Sequence, residues 1–222
     1  MIACGMLGPH GETLRDRAVR AVLRVVGHRR PHCAGQRVTP LNASRGLAFF
    51  DTTLGLCGVA WSERGLTAVQ LPESSPTATR ARLRSRFPEF VPTTPPRAVQ
   101  QAIDGIRELL SSGRADLSAV SLDESALGEF ERRVYALTRA IAPGQTSTYG
   151  ALAAALGDPG AARAVGQAMG HNPFPLVVPC HRVLAADGGW GGFSAADGVA
   201  TKLRLLRIEG AEAVRQMPLF DS

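Results

Sequence analysis

The sequence predicts an α+β protein: a small N-terminal α/β domain with antiparallel strands, then a mostly helical C-terminal domain containing a winged-helix-like helix-turn-helix. Three observations predict it. Short β-like runs punctuated by glycine occupy the stretch from Leu47 to Leu71, helical apolar spacing follows, and two short helices joined by Gly157-Asp158-Pro159 come after that. The chain divides accordingly into a poorly ordered basic extension over 1–45, an α/β domain over 46–122 and a C-terminal domain over 123–222.

In the extension, a short helix is expected from Leu14 to Val26, with basic residues on several faces, before the breakers Gly27, Pro31, Gly35 and Pro40. Cys4, His28, His32 and Cys33 fit no usual zinc-finger spacing, so no metal is expected there. Residues 1–45 hold eight arginines and two acids, 46–123 eight basic and eight acidic residues, and 124–222 nine of each. The formal excess of +6 therefore sits in the extension. Global basicity is then no argument that the folded part binds nucleic acid, and the local placement of arginines must carry that case.

The strands are expected at Leu47–Asp51, Leu56–Trp61 and Leu66–Leu71, with Gly55 and Gly65 at the turns of an antiparallel meander. Helices follow at 76–87 and 96–112, the second with Val99, Ile103, Ile106 and Leu110 on one face, and four prolines separate them. The polar stretch 113–124 marks the boundary. Phe130, Val134, Leu137 and Ile141 form the apolar stripe of a helix over 126–142, which Pro143-Gly144 ends. The helix-turn-helix takes 149–156 and 160–170, and an amphipathic helix runs from Thr201 to Ile208.

No run reaches the roughly 18 to 20 apolar residues of a membrane span, and no secretory signal is recognisable. Four cysteines without CxxC spacing suit reduced thiols, so the expectation is a cytoplasmic protein. The chemistry concentrates at Pro179-Cys180-His181-Arg182-Val183, a thiol beside an imidazole. An ordinary thiol is only a few per cent thiolate at neutral pH, so an attacking cysteine needs a base or a positive field. On an extended strand neighbouring side chains point to opposite faces, so His181 is expected to act through a mediated network, with Glu209 as the carboxylate that could orient it. Upstream, Arg163 is the one long cationic side chain on a helix of small residues, and Cys180 follows it within 18 residues. Enzymes that act on a base need a groove-binding wedge beside a pocket. A Cys-His hydrolase or transferase for small molecules is the alternative, but it would need an oxyanion hole, and no glycine-rich segment with a second histidine stands out.

Leu122-Asp123, Ala142-Pro143-Gly144-Gln145-Thr146-Ser147-Thr148-Tyr149-Gly150, Ala162-Arg163-Ala164-Val165-Gly166, Asn172-Pro173, Pro179 to Val183 and Glu209-Gly210 occur in an order that resembles the O6-alkylguanine-DNA alkyltransferases. The resemblance is dense from 123 to 210, fainter from 47 to 122 and absent from 1 to 45. It implies direct-reversal DNA repair by a single-use methyltransferase, in which the alkyl group on guanine O6 moves in one SN2 step to a cysteine. By that pattern Cys180 is the acceptor, His181 its water-relayed base, Glu209 the group orienting His181, Asn172 a brace for the network, and Tyr149 a donor to guanine N3. The backbone of Cys180 and Val183 would read the exocyclic amine, with Ser194, after Phe193, at the O6 side. Arg163 would be the finger that replaces the flipped nucleotide, with Ala162 and Gly166 allowing close approach to DNA. The implied partner is duplex DNA bearing O6-alkylguanine, with O4-alkylthymine as an open second lesion; no cofactor or metal is implied, and the protein would act as a monomer. A catalytically silent damage sensor of the same family is the binding-class alternative, but those relatives lack the cysteine. This chain departs from the common pattern at Phe193, where tyrosine is frequent, at Ala195-Ala196-Asp197-Gly198, two residues longer, and at Ala142, where a larger apolar residue is usual.

Overall fold

A computed structural model of the chain describes residues 45–186 and 189–215. The expected extension, with its helix at Leu14–Val26 and Cys4, His28, His32 and Cys33, lies outside the described residues.

Strands β1 (Gly46–Thr52), β2 (Gly55–Ser62) and β3 (Gly65–Gln70) pair antiparallel in that order. Each strand pair is joined by a two-residue turn, and the residue leaving it is a glycine at positive φ, Gly55 at 124° and Gly65 at 141°. At Gly65 a side chain would also meet the Ser121 carbonyl oxygen at 2.5 Å. The central strand is buried from Leu56 to Trp61 because both faces of the sheet are covered. On one face, Leu47, Ala60 and Ala68 pack with Leu83 of helix α1 (Pro76–Arg86). On the other, Val59, Trp61 and Val69 share a core with Val99, Ile103 and Ile106 of helix α2 (Arg97–Ser112). Ser75 caps α1 by accepting from the Ala78 amide, and Pro76 starts it.

Both sheet edges are partly covered. Leu47 exchanges hydrogen bonds with Val91 and Thr93 on the β1 side, at 3.1 Å each. On the β3 side, Leu66 accepts from the Asp123 amide at 2.8 Å, and the Val69 amide donates to the Pro173 carbonyl at 2.8 Å. The segment that leads to Cys180 is thus anchored directly to the sheet.

The C-terminal half is mostly helical: α3 (Glu129–Arg139), α4 (Tyr149–Ala155), a 3-10 turn (Pro159–Ala161), α5 (Ala162–Gly170), α6 (Val199–Ile208) and the short α7 (Glu212–Arg215). Helices α4 and α5 are the expected helix-turn-helix, with Thr148 and Asp158 supplying side-chain caps at its two starts. Two local features differ from the sequence reading. Cys180–Arg182 is a 3-10 turn rather than extended chain, because Pro179 precedes it and the Arg182 amide closes on the Pro179 carbonyl at 2.9 Å. A parallel pair joins β4 (Ser147–Thr148) to β5 (Val183–Leu184), which is too short to leave a periodic signal. One apolar core runs through both halves, from Phe50 and Ile106 to Val134, Val178 and Cys180.

Candidate active site

The chain from Asn172 to Val183 folds back on itself before it presents the thiol. Val178 and Phe174 close one turn at 2.8 Å, the Cys180 amide donates to the Val178 carbonyl at 2.8 Å, and Leu176 adopts a φ of 74°, a left-handed value rarely taken by a side-chain-bearing residue. Asn172 clamps this loop. Its Oδ1 accepts from the Phe174 amide at 2.9 Å, and its Nδ2 donates to the Val178 carbonyl at 2.9 Å and to Cys180 Sγ at 3.3 Å. Cys180 is only 5% exposed. Burial pushes its pKa up, opposed by the Asn172 hydrogen bond and the positive charge of Lys202. At rest the group is a thiol, and attack requires a base.

His181 is fully buried and its Nε2 lies 2.8 Å from Glu209 Oε1. Glu209 caps the C-terminus of α6 and also accepts from Arg182 Nε at 3.0 Å, Arg182 Nη2 at 2.8 Å and the Gly144 amide at 3.2 Å. Burial alone would raise the Glu209 carboxyl, but hydrogen bonds from His181 and Arg182 outweigh it and hold the pKa at about 2. Burial pulls the His181 pKa down against the pull of Glu209, so the imidazole is neutral. A carboxylate only accepts, so Nε2 carries the proton and Nδ1 is the lone-pair nitrogen. Nδ1 is buried and has no hydrogen-bond partner among the described residues.

Tyr149 opens α4 with its ring half-buried between two glycines. A side chain at Gly166 would reach ordinary contact with the ring at 3.9 Å, whereas one at Gly191 would meet Tyr149 Oη at 2.7 Å. Burial, then the thiolate charge of Cys180, push the Tyr149 pKa up, which keeps the phenol a donor. Val183 is buried, and its carbonyl already accepts from Lys202 Nζ at 2.6 Å, which leaves one lone pair for a ligand. Phe193 is half-buried against the core, and exposed Ser194 lines a cleft together with Asn172. Arg163 projects exposed from the first turn of α5, with no ion pair among the described residues; Ala162 and Gly166 on the same helix are partly covered.

The structure therefore places two hydrogen-bonded groups side by side at the turn, Asn172 with Cys180, whose carbonyl accepts from the Val183 amide, and His181 with Glu209, with Tyr149 close by and Arg163 apart on the surface. Two members were missed by the sequence reading. Arg182, beyond its place in the motif, ties Glu209 to the Ile141 carbonyl, at 2.5 Å. Lys202 is completely buried, with Nζ 5.9 Å from the Tyr149 ring centre and its pKa pulled down to about 8 by burial. A signal for it existed: Lys202 is the only lysine in a chain with 25 basic residues. A chain that otherwise uses arginine keeps the residue whose charge can be lost on burial.

Residues 129–211 match the family model described as the DNA-binding domain of 6-O-methylguanine DNA methyltransferase. The chain is 37% identical over 153 residues to a methylated-DNA–protein-cysteine methyltransferase of Methanothermobacter thermautotrophicus, covering 69% of this chain and 78% of that one. It is 33% identical to the protein of that name from Mycolicibacterium paratuberculosis, covering 77% of this chain and 96% of the relative. Among solved structures, Mycobacterium tuberculosis OGT in complex with DNA superposes with a TM-score of 0.60 at 31% identity, over 78% of this chain and 96% of that one.

Proposed function

The chain belongs to the O6-methylguanine DNA methyltransferase family, and from that premise we propose that it repairs O6-alkylguanine in duplex DNA by moving the alkyl group to its own Cys180. The observation that carries the residue assignment is the 2.8 Å contact of His181 Nε2 with Glu209, which draws the ring proton to Nε2 and leaves the buried Nδ1 as the basic nitrogen. In this reading the Cys180 thiol passes its proton through a bridging water to Nδ1. Sγ then attacks the alkyl carbon as its bond to O6 breaks, and the electron pair returns to the purine.

Each remaining residue has a task that its environment suits. Glu209 stabilises the imidazolium that forms, and Arg182 holds that carboxylate charged. Lys202 supplies a positive field to the developing thiolate, and Tyr149, still protonated, discharges the purine anion at N3. Asn172 restrains Sγ, while Val183 and Ser194 border the base. Arg163 enters the duplex and fills the space of the extruded nucleotide, a step that costs a few kcal/mol and less for a badly paired alkylated guanine.

The test is the mass of the intact protein after mixing with duplex O6-methylguanine DNA. The expected result is a gain of one methylene per molecule, mapped to Cys180, with no further turnover; Cys180→Ala should bind the same DNA and gain nothing. Tight binding with unchanged mass of the wild-type chain would instead mark a damage sensor, and transfer by Cys180→Ala would overturn the assignment of the acceptor.

A further inference from the structure

A cleft of about 200 Å³ adjoins the reactive cysteine through Asn172, although Cys180 itself does not line it. From the cluster's side it is lined by Asn172, whose amide touches Sγ, and by Phe193 and Ser194; from the N-terminal half it is lined by Glu73, Arg82 and Arg86. The two arginines are one helical turn apart on α1 and share a face. Neither has an ion pair or a side-chain hydrogen bond among the described residues, and Arg86 has only the ring of Phe87, at 5.6 Å. Both side chains are exposed to solvent, and partial desolvation, then the like charge of Arg82, pull the Arg86 pKa down. Glu73 lines the same cleft but forms no ion pair with either among the described residues; its Oε1 accepts from Gln70 Nε2 at 3.0 Å, and the two guanidinium groups outnumber its one carboxylate. Two unpartnered guanidinium groups facing one cleft make an anion subsite.

The anion is better matched to the lesion than to the DNA backbone. Arg163 lies in the first turn of α5, whereas the cleft touches Gly170 and His171 at the other end, about 10 Å away along the helix axis. Resting on the reading of Cys180 as acceptor, we propose that the cleft receives the distal part of an O6-alkyl substituent and that Arg82 and Arg86 select substituents ending in a carboxylate. The transfer step is unchanged: Sγ bonds to the first carbon as that carbon leaves O6, and the carboxylate stays ionised as a spectator.

Single-turnover rates of the full chain on duplexes carrying O6-methyl-, O6-butyl- or O6-(3-carboxypropyl)guanine test this. The carboxypropyl adduct should react about tenfold faster than its neutral butyl counterpart, the size expected of a charge-assisted contact. The double variant Arg82→Gln/Arg86→Gln should bring that ratio to about one, leaving the methyl rate near wild type. High salt on the wild-type chain should lower the same ratio, a readout independent of any variant. Equal wild-type rates on the two long adducts, or a ratio that survives both the substitutions and salt, would overturn the proposal. A double variant slowed equally on all three duplexes would overturn it too, because the arginines would then serve DNA phosphates. Failure of the wild type on the methyl lesion would instead strike at the reading of Cys180.

Discussion

Asn172 commits both ends of its amide, one to the backbone of Phe174 and the other to Val178 and the reactive sulfur. Asn172→Ala would strand a buried donor and a buried acceptor, so urea unfolding should show a loss of about 1–3 kcal/mol for each group. Asn172→Asp keeps the acceptor but sets a carboxylate against Sγ, so alkyl transfer should fall more steeply than stability. Glu209 makes a prediction in pH. Its folded pKa of about 2 lies below that of an unfolded glutamate, near 4.3, so its contribution is fully present above roughly pH 5 and is lost as pH falls towards 2. The size is about 3 kcal/mol. His181, buried neutral, adds a loss in the same direction, starting as pH drops through its unfolded value of roughly 6.5. Urea midpoints measured from pH 7 to 3 should decline for the wild type, and between pH 5 and 3 they should be flatter for Glu209→Gln. Cys180 and His181 were legible because a thiol beside an imidazole has a recognisable chemistry, and Glu209 as a carboxylate suited to orient the imidazole, whereas Asn172 entered only through the family resemblance. Arg182 and Lys202 were not legible, because a buried cation looks like a surface one until its neighbours are known.

At the level of elements, the meander and the helix-turn-helix were readable from glycine turns and apolar periodicity, with boundaries shifted by a few residues. The 3-10 turn at Cys180 was not, since it depends on a carbonyl that Pro179 offers and on the Asn172 clamp, neither of which leaves a period. Helix α4 and the Gly189–Gly198 stretch meet at Tyr149, and the two glycines there differ in what they tolerate. Gly166→Ala should leave transfer from a free O6-benzylguanine base close to the wild-type rate, because its Cβ would sit at 3.9 Å from the ring. Gly191→Ala should lose transfer at least about tenfold, because φ is +65° and the new carbon would lie 2.7 Å from the phenol oxygen. Helix α5 carries the second test: Arg163→Ala should slow transfer from duplex DNA more than transfer from a free O6-benzylguanine base. Equal losses on both substrates would deny it the role of a finger.

Across the whole molecule the core is continuous, and Val69 of the sheet holds Pro173 of the loop that shapes the reactive turn. A fragment of residues 123–222 would lose the sheet and α2 residues that share its core, and the Val69 amide that binds the Pro173 carbonyl. It should show weak or non-cooperative urea unfolding, whereas a chain starting at residue 45 should unfold cooperatively and keep repair activity. The balance of charge from residue 46 onward was already visible in the sequence, but the joining of the two halves through one core was not, since sequence-distant packing has no local signature. A last consequence follows from Lys202. Thiolate formation at Cys180 favours the protonated ammonium, and a thioether at the same place cannot. Fresh and spent molecules should therefore differ in the titration of one amine at alkaline pH, where the thiol ionises and the thioether cannot, and with no other lysine in the chain that side-chain resonance reports the difference.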